Sequence, residues 1–553
     1  MLQSIASATG VSTNKQTKVN LSESLVNGEA SNYHNPDTAP PSLTDAPSSH
    51  SSPSCTINSS NSSPSAPPPP LYDLDLDEAG SYLERFMNHM IPCFPFITIL
   101  PGTTIEQLRR DRPFLLEAII AVATTSTQEK LSRVERLKYN LTKASVLENQ
   151  SSVDILLGIL TYIAWSTDPF LQRSSNLSRM MMMAMSLVYD LQLGKPPPSP
   201  EMITISKMTP GLSSPEQSVG NSSDQGMLEK QRAVLACFVL SSIISSSFRR
   251  IVPLRWDSQM ESAIDNLEKT KACQLDENFA IQVRLQVLAQ KASHIRDPHS
   301  HVDETKDSKS TPFATSMYLK VLQGQLQELR AACVAHLPRQ DMLTAQIHYA
   351  ELCINEVTRL ASSQDPLLSA CWSDSSANSS MTGLEHLESL WRSVYAVKSW
   401  LDAFYTIPPG AYIGFPFFFW FQLVRCVVIL KHLLTFDDPA WDREAVRNTV
   451  NMVDLLEWMT EKTDLASQEA GEQSDDDLFR RVNKLLRMSH QWVMAKQGAT
   501  TQEEGSSFYN EGPNSACNGD NMIDLTDMPW MNALEFGDGT WLEEVLGWSP
   551  MVL

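Results

Sequence analysis

The chain has 553 residues, with 43 Lys and Arg against 64 Asp and Glu and a net charge of −21. Hydrophobic residues make up 42% and charged residues 19%, enough to build a sizeable core. Glycine at 21 of 553 excludes a collagen-like chain, nine scattered cysteines exclude a disulfide scaffold, and the acidic balance argues against broad non-specific nucleic-acid binding.

Residues 1–70 form one compositional block. Ser, Thr, Asn and Pro supply 40 of the 70, and the only basic side chains are Lys15 and Lys18. Such a segment buries too little apolar surface to offset chain entropy, so disorder is expected. Nothing at its start has the basic and apolar regions of a signal peptide.

From Leu71 to about Lys496 apolar residues recur at helical spacing. Leu115, Leu116, Ile119, Ile120, Val122 and Ala123 read as a buried helix, with Pro113 in its first turn. Val153, Leu156, Leu157, Leu160 and Ile163 follow the i, i+3, i+4, i+7 rule, and Ser151 and Ser152 supply a cap. Met180 to Met183, Leu187 and Leu191 continue the style, with the methionines as core filler, until Gly194 and Pro196 to Pro198. Further helices are expected near 227–249, 274–296, 313–335, 341–362, 383–405, 440–462 and 475–496. Polar loops are expected near 196–226, 297–312 and 363–382. No alternating strand pattern appears, so the expected class is all-α.

Ala411 to Leu434 is the strongest membrane candidate, but Gln422 and Arg425 stand at its middle. An arginine there costs about 2.5–3.5 kcal/mol, which favours a buried helix of a globular domain. Its aromatics Phe415, Phe417 to Phe419, Trp420 and Phe421 read as core, or else as the wall of a small-molecule effector pocket.

Residues 497–553 are an acidic-hydrophobic tail; from 498 onward it holds ten acids and no Lys or Arg. That composition is typical of activation segments. Its candidate contacts are Trp530, Trp541, Leu542, Leu546 and Trp548. Trp541, Leu542, Val545 and Leu546 share one helical face, with Glu543 and Glu544 turned away.

Signatures of catalysis are missing: no G-x-S-x-G, no phosphate-binding loop, no H-E-x-x-H and no dinucleotide fingerprint. No two cysteines lie closer than 18 residues, so no zinc cluster is expected within these residues. Asp297, His299, His301 and Asp303 read as a polar loop rather than a metal site, and no cofactor is expected.

Five stretches in order carry a resemblance. They are Phe86–Ile99 (FMNHMIPCFPFITI), Arg110–Ala123 (RDRPFLLEAIIAVA), Ser152–Trp165 with the later Val188–Leu193 (VYDLQL), Lys230–Trp256, and Pro416–Leu434. Together, over about residues 80–460, the chain resembles the regulatory middle region of fungal zinc-binuclear-cluster (Zn2Cys6) transcription factors. The resemblance implies a multi-helix regulatory domain, a nuclear location and a role in transcription, often of a metabolic or secondary-metabolite gene set. Members of that family usually begin with a six-cysteine zinc cluster, and residues 1–70 hold one cysteine, so DNA contacts are not carried over.

The expected function is a non-enzymatic transcription regulator that acts through a DNA-bound factor and the transcription machinery, as a homo- or hetero-dimer or alone. Sequence-specific DNA binding and a membrane are not expected. The alternatives are an inhibitory or scaffolding relative of full-length factors, or a truncated gene model of a DNA-binding one.

Overall fold

The structure, a computed structural model, describes residues 75–491 except 169–173, 194–223, 249, 297–311, 334–337, 364–378, 437, 472–478, 481, 485, 488 and 489. The expectations for residues 1–70, most of the three loops, Asp297 to Asp303 and the tail 497–553 lie outside the described residues. Among the described residues every regular element is helical.

The N-terminal part is built from α1 (Leu76–Arg85), α2 (Ile105–Asp111), α3 (Pro113–Ala123), α4 (Thr127–Thr142), α5 (Val153–Ala164) and α6 (Ser174–Asp190). In α3 every residue from Leu115 to Ala123 is buried, as the all-round apolar pattern predicts. Ser152 caps α5 by accepting from the Ile155 N–H. The Asp154 carboxylate of α5 accepts from the backbone N–H groups of Phe114 and Leu115, both at 3.0 Å. It thereby satisfies donors at the start of α3 that no intrahelical carbonyl reaches. Gly158 lets the two helices approach, because a Cβ there would lie 3.0 Å from the Phe114 carbonyl oxygen. Of the methionine run, Met180 and Met181 enter the core; Met182 is exposed, which corrects its reading as filler.

The chain continues through α7 (Asp224–Phe248), α8 (Ser258–Thr270), α9 (Asp276–Arg296), α10 (Pro312–Ala332), α11 (Gln340–Ser363) and α12 (Ser379–Tyr405). The loops expected over 196–226, 297–312 and 363–382 are shorter at their ends, since α7, α10 and α12 start at Asp224, Pro312 and Ser379. Arg232 of α7 and Asp276 of α9 form a buried two-pronged pair at 2.8 and 2.9 Å, and Asp276 also accepts from the Cys273 N–H. A separate apolar cluster, with Leu285, Leu288, Leu322, Leu326, Leu343 and Ile347, joins α9, α10 and α11.

A short 3-10 turn, Pro409–Gly414, leads into α13 (Phe417–Thr435), then α14 (Arg443–Thr449) and α15 (Met452–Ala470). The single helix expected over 440–462 is two. Val450 is extended, and the Asn451 side chain accepts from the Val453 N–H to start a new helix. The described positions from Phe479 to Gln491 are helical, inside the span expected over 475–496. The helices α1, α2, α4 and α8 add to the expected set. Among the described residues two helices are long and apolar enough to cross a membrane, Gln225–Phe248 and Phe417–Leu434. Each is 67% buried inside the protein over its most apolar stretch, as core helices are.

Three of the stretches that carry the family resemblance, Phe86–Ile99, Ser152–Trp165 and Pro416–Leu434, meet at one aromatic junction with Phe279 of α9. Phe86 meets Trp165 edge to face at 5.2 Å, and Phe94 meets Phe279 at 5.7 Å and Phe418 at 5.2 Å. The Trp165 indole N–H donates to the Gly414 carbonyl at 3.0 Å. Gly414 has no room for a side chain: a Cβ would lie 2.0 Å from the His89 carbonyl oxygen.

Candidate functional site: a glutamine-lined cleft

One turn beyond the junction, α13 turns from aromatic to polar. Gln422 and Arg425 line a cavity together with residues of α7, α9 and α11, and Arg425 pairs with Glu356 of α11. This cavity between the four helices is about 30 Å³, and a second of about 20 Å³ lies beside it. Each has room for about one water molecule. They share Gln286, Tyr349, Phe418 and Gln422 as walls, so they form one cleft. Half-buried Ser246, Ser247, Ser293, Phe421 and Arg425 ring one end. Buried Phe94, Val239, Gln282, Leu285 and Gln346 make the floor at the other.

Four glutamines reach this space. Gln286 Nε2 donates to the Ser242 hydroxyl at 2.8 Å, and Gln422 Oε1 accepts from the Trp400 indole at 3.4 Å. Gln282 Nε2 donates to the Cys93 carbonyl at 2.9 Å, which ties α9 to the Phe94 segment. Its Oε1, however, is buried with no hydrogen-bond partner, and so is Gln346 Nε2. Gln282 is 7% and Gln346 6% exposed, so both groups are out of reach of bulk solvent. An unmet buried polar atom of this kind costs about 1–3 kcal/mol.

Charge in the cleft is balanced. Glu356 accepts from Arg425 Nε at 3.1 Å and from its Nη2. Burial pushes the Tyr349 phenol and the Cys426 thiol well above their ordinary ranges, so both are neutral. Beyond the pair of Glu356 and Arg425 the cleft offers shape and hydrogen bonding.

Of the cleft residues, the sequence singles out Gln422 and Arg425 only as evidence against a membrane span, and the aromatics beside them as core or pocket wall. Phe415 and Phe417 to Phe419 are buried, as the core reading expects; Phe418 and Phe421 also line the cleft, and Trp420 is half-buried. Gln282, Gln286 and Gln346 escaped notice, because single glutamines on helices look like any solvated face. The tail residues Trp530, Trp541, Leu542, Leu546 and Trp548 lie outside the described residues.

Among the described residues the fold is all-helical, and the comparisons with known proteins match the chain to transcription factors. A family model described as a C-terminal domain matches residues 409–553, starting at the 3-10 turn before α13. A protein named transcription factor from Aspergillus terreus is 36% identical over 481 residues, covering 86% of this chain and 71% of the relative. The transcription factor opdL of Penicillium oxalicum is 29% identical over 422 residues, 75% of this chain and 70% of that protein. The transcription factor himD of Aspergillus japonicus is 22% identical over 454 residues, 79% and 70% of the two chains. No solved structure matches significantly. The chain belongs to this family of fungal transcription factors.

Proposed function

We propose that this chain is a nuclear, non-enzymatic regulator of a metabolic or secondary-metabolite gene set. In this reading its 553 residues reach DNA through a DNA-bound partner factor, alone or as part of a dimer, and present the acidic tail to the transcription machinery. The observation that carries the reading is the similarity, across 86% of the chain, to a protein named transcription factor. Two features of the sequence support the finer statement. No close cysteine pair is present to hold a zinc cluster, and a net charge of −21 disfavours phosphate contacts. Residues 498–553 combine ten acids with tryptophan and leucine anchors and no basic residue. Like charges keep such a segment open, and its apolar anchors fold in a partner's groove.

The test fuses residues 498–553 to an unrelated DNA-binding domain upstream of a reporter. The parental segment is expected to activate. A variant with Trp530, Trp541, Leu542, Leu546 and Trp548 changed to Ala is expected to lose most of that activity. No activation by the parental segment, or equal activation by the variant, rejects the activation role and leaves an inhibitory relative as the better reading.

A further inference from the structure

We propose that the cleft between α7, α9, α11 and α13 binds a small neutral molecule. The end that enters carries a carbonyl acceptor beside an N–H or O–H donor, a primary carboxamide being the simplest such group. The inference goes beyond the regulatory reading and does not depend on it.

Two unmet atoms define the chemistry. Gln282 Oε1 can only accept, so it calls for a donor on the ligand. Gln346 Nε2 can only donate, so it calls for an acceptor. Both residues line the same floor and both are more than nine-tenths buried. A carboxamide answers the two at once. The ligand must be neutral because the charged walls, Glu356 and Arg425, already pair with each other. A carboxylate would bring an uncompensated charge into a poorly solvated space and would offer no donor. Size follows from volume: the floor and the adjoining cavity hold about two waters, which suits a head group of a few heavy atoms. The body of the ligand then lies toward the half-buried rim, against Phe421 and the aromatic ring of Tyr349. Phe94 and Phe418 flank the head group, and they connect the cleft directly to the aromatic junction.

The structure also sets the sign of a diagnostic substitution. Gln346→Met keeps the length of the side chain and removes the unmet donor. If the site exists for a ligand, this change leaves the free protein at least as stable as the parent and weakens binding.

The probe is benzamide, titrated into the full 553-residue chain and followed by ligand-observed NMR and by thermal melting. Acetophenone, which has the acceptor alone, and benzoate, which is anionic, are the comparison compounds. Benzamide is expected to bind saturably, about tenfold tighter than either, as one added hydrogen bond implies. Gln346→Met is expected to bind benzamide about tenfold more weakly while melting no lower than the parent. A second variant, Ser293→Leu, fills the rim from α9 and is expected to abolish binding with the melting temperature unchanged. The proposal is overturned if benzamide binds no better than acetophenone or benzoate. It is overturned equally if Ser293→Leu leaves binding intact. A Gln346→Met chain that melts lower than the parent overturns it too, since the amide would then be satisfied by water within the fold.

Discussion

Phe418 and Gln422 stand one helical turn apart on α13 and belong to two regions that treat polar groups differently. In the aromatic junction the polar atoms that tie its segments together have partners, although the Tyr412 hydroxyl beside it is buried without one. The Trp165 N–H meets the Gly414 carbonyl, and the Cys93 thiol donates to the His89 carbonyl at 3.2 Å. Rings fill the remaining space at centroid separations of about 5–6 Å. In the glutamine cleft the packing stops short, and a donor and an acceptor stay unmet. Interiors normally satisfy nearly all such groups. Phe418 borders both regions, packing on Phe94 and also lining the cleft, so the change from filled to unfilled packing falls within one turn of one face of α13. The junction is the part that holds the fold, and the cleft is the part free to recognise something.

The contrast is broken most severely at Gly414. Gly414→Ala places a methyl group on the His89 carbonyl, backbone against backbone, with no flexible side chain to yield. The expected loss is at least about 4 kcal/mol. Ile119→Asp, Trp165→Asp and Val427→Asp bury an unpaired charge and fall in the same range. Urea unfolding followed by circular dichroism measures all four, and a parental midpoint for any of them removes that residue from the core.

A smaller change separates hydrogen bonding from packing at the junction. Trp165→Phe keeps an aromatic ring against Phe86 but leaves the Gly414 carbonyl without its donor. The expected cost is about 1–3 kcal/mol. The contrast with Gln346→Met is sharp, since there an amide is removed at no cost to stability. Equal losses at the two positions would show that the cleft is as fully satisfied as the junction.

Much of this architecture was legible in the sequence, for physical reasons that differ by element. The runs in α3 and α5 are apolar on nearly every face, so burial and helix type followed from periodicity alone. The aromatic block of α13 announced a core helix because its two polar residues forbid a lipid environment. By contrast, α4 shows only Val134, Leu137 and Leu141 to the core across 16 residues, too sparse a stripe to stand out. The break at Val450 turns on one β-branched residue before an asparagine cap, which a run of helix formers on either side conceals. The cleft was half visible. Gln422 and Arg425 are conspicuous inside an apolar run, but Gln282 and Gln346 become informative only when packing shows their amide atoms without partners.

The smallest expected effect concerns pH, and it locates titration away from both regions. Burial pushes the Cys93 thiol of the junction up to about 12 and raises Cys426 and Tyr349 of the cleft well above their ordinary ranges, beside the charged pair of Glu356 and Arg425. The start of α3 is different. Burial raises the carboxyls of Glu117, Asp154 and Glu229 above their usual values, although Asn140 and Arg136 oppose it at Glu117 and Arg112 opposes it at Glu229. An acid whose folded pKa is raised binds its proton more tightly in the folded state than in the unfolded one. Its stabilising contribution is therefore complete below the unfolded value, 4.5 for a glutamate, and is lost as pH rises through the folded value. Glu117→Gln removes one such contribution and keeps the shape of the side chain. Relative to the parent, the variant should therefore gain stability as pH rises from about 5 to 7, while Gln346→Met in the cleft should show no such trend. Urea midpoints of parent and both variants across that range decide it. A difference between parent and Glu117→Gln that stays constant with pH would place that carboxyl in an environment no different from water, and a slope at Gln346→Met would put a titrating group back into the cleft.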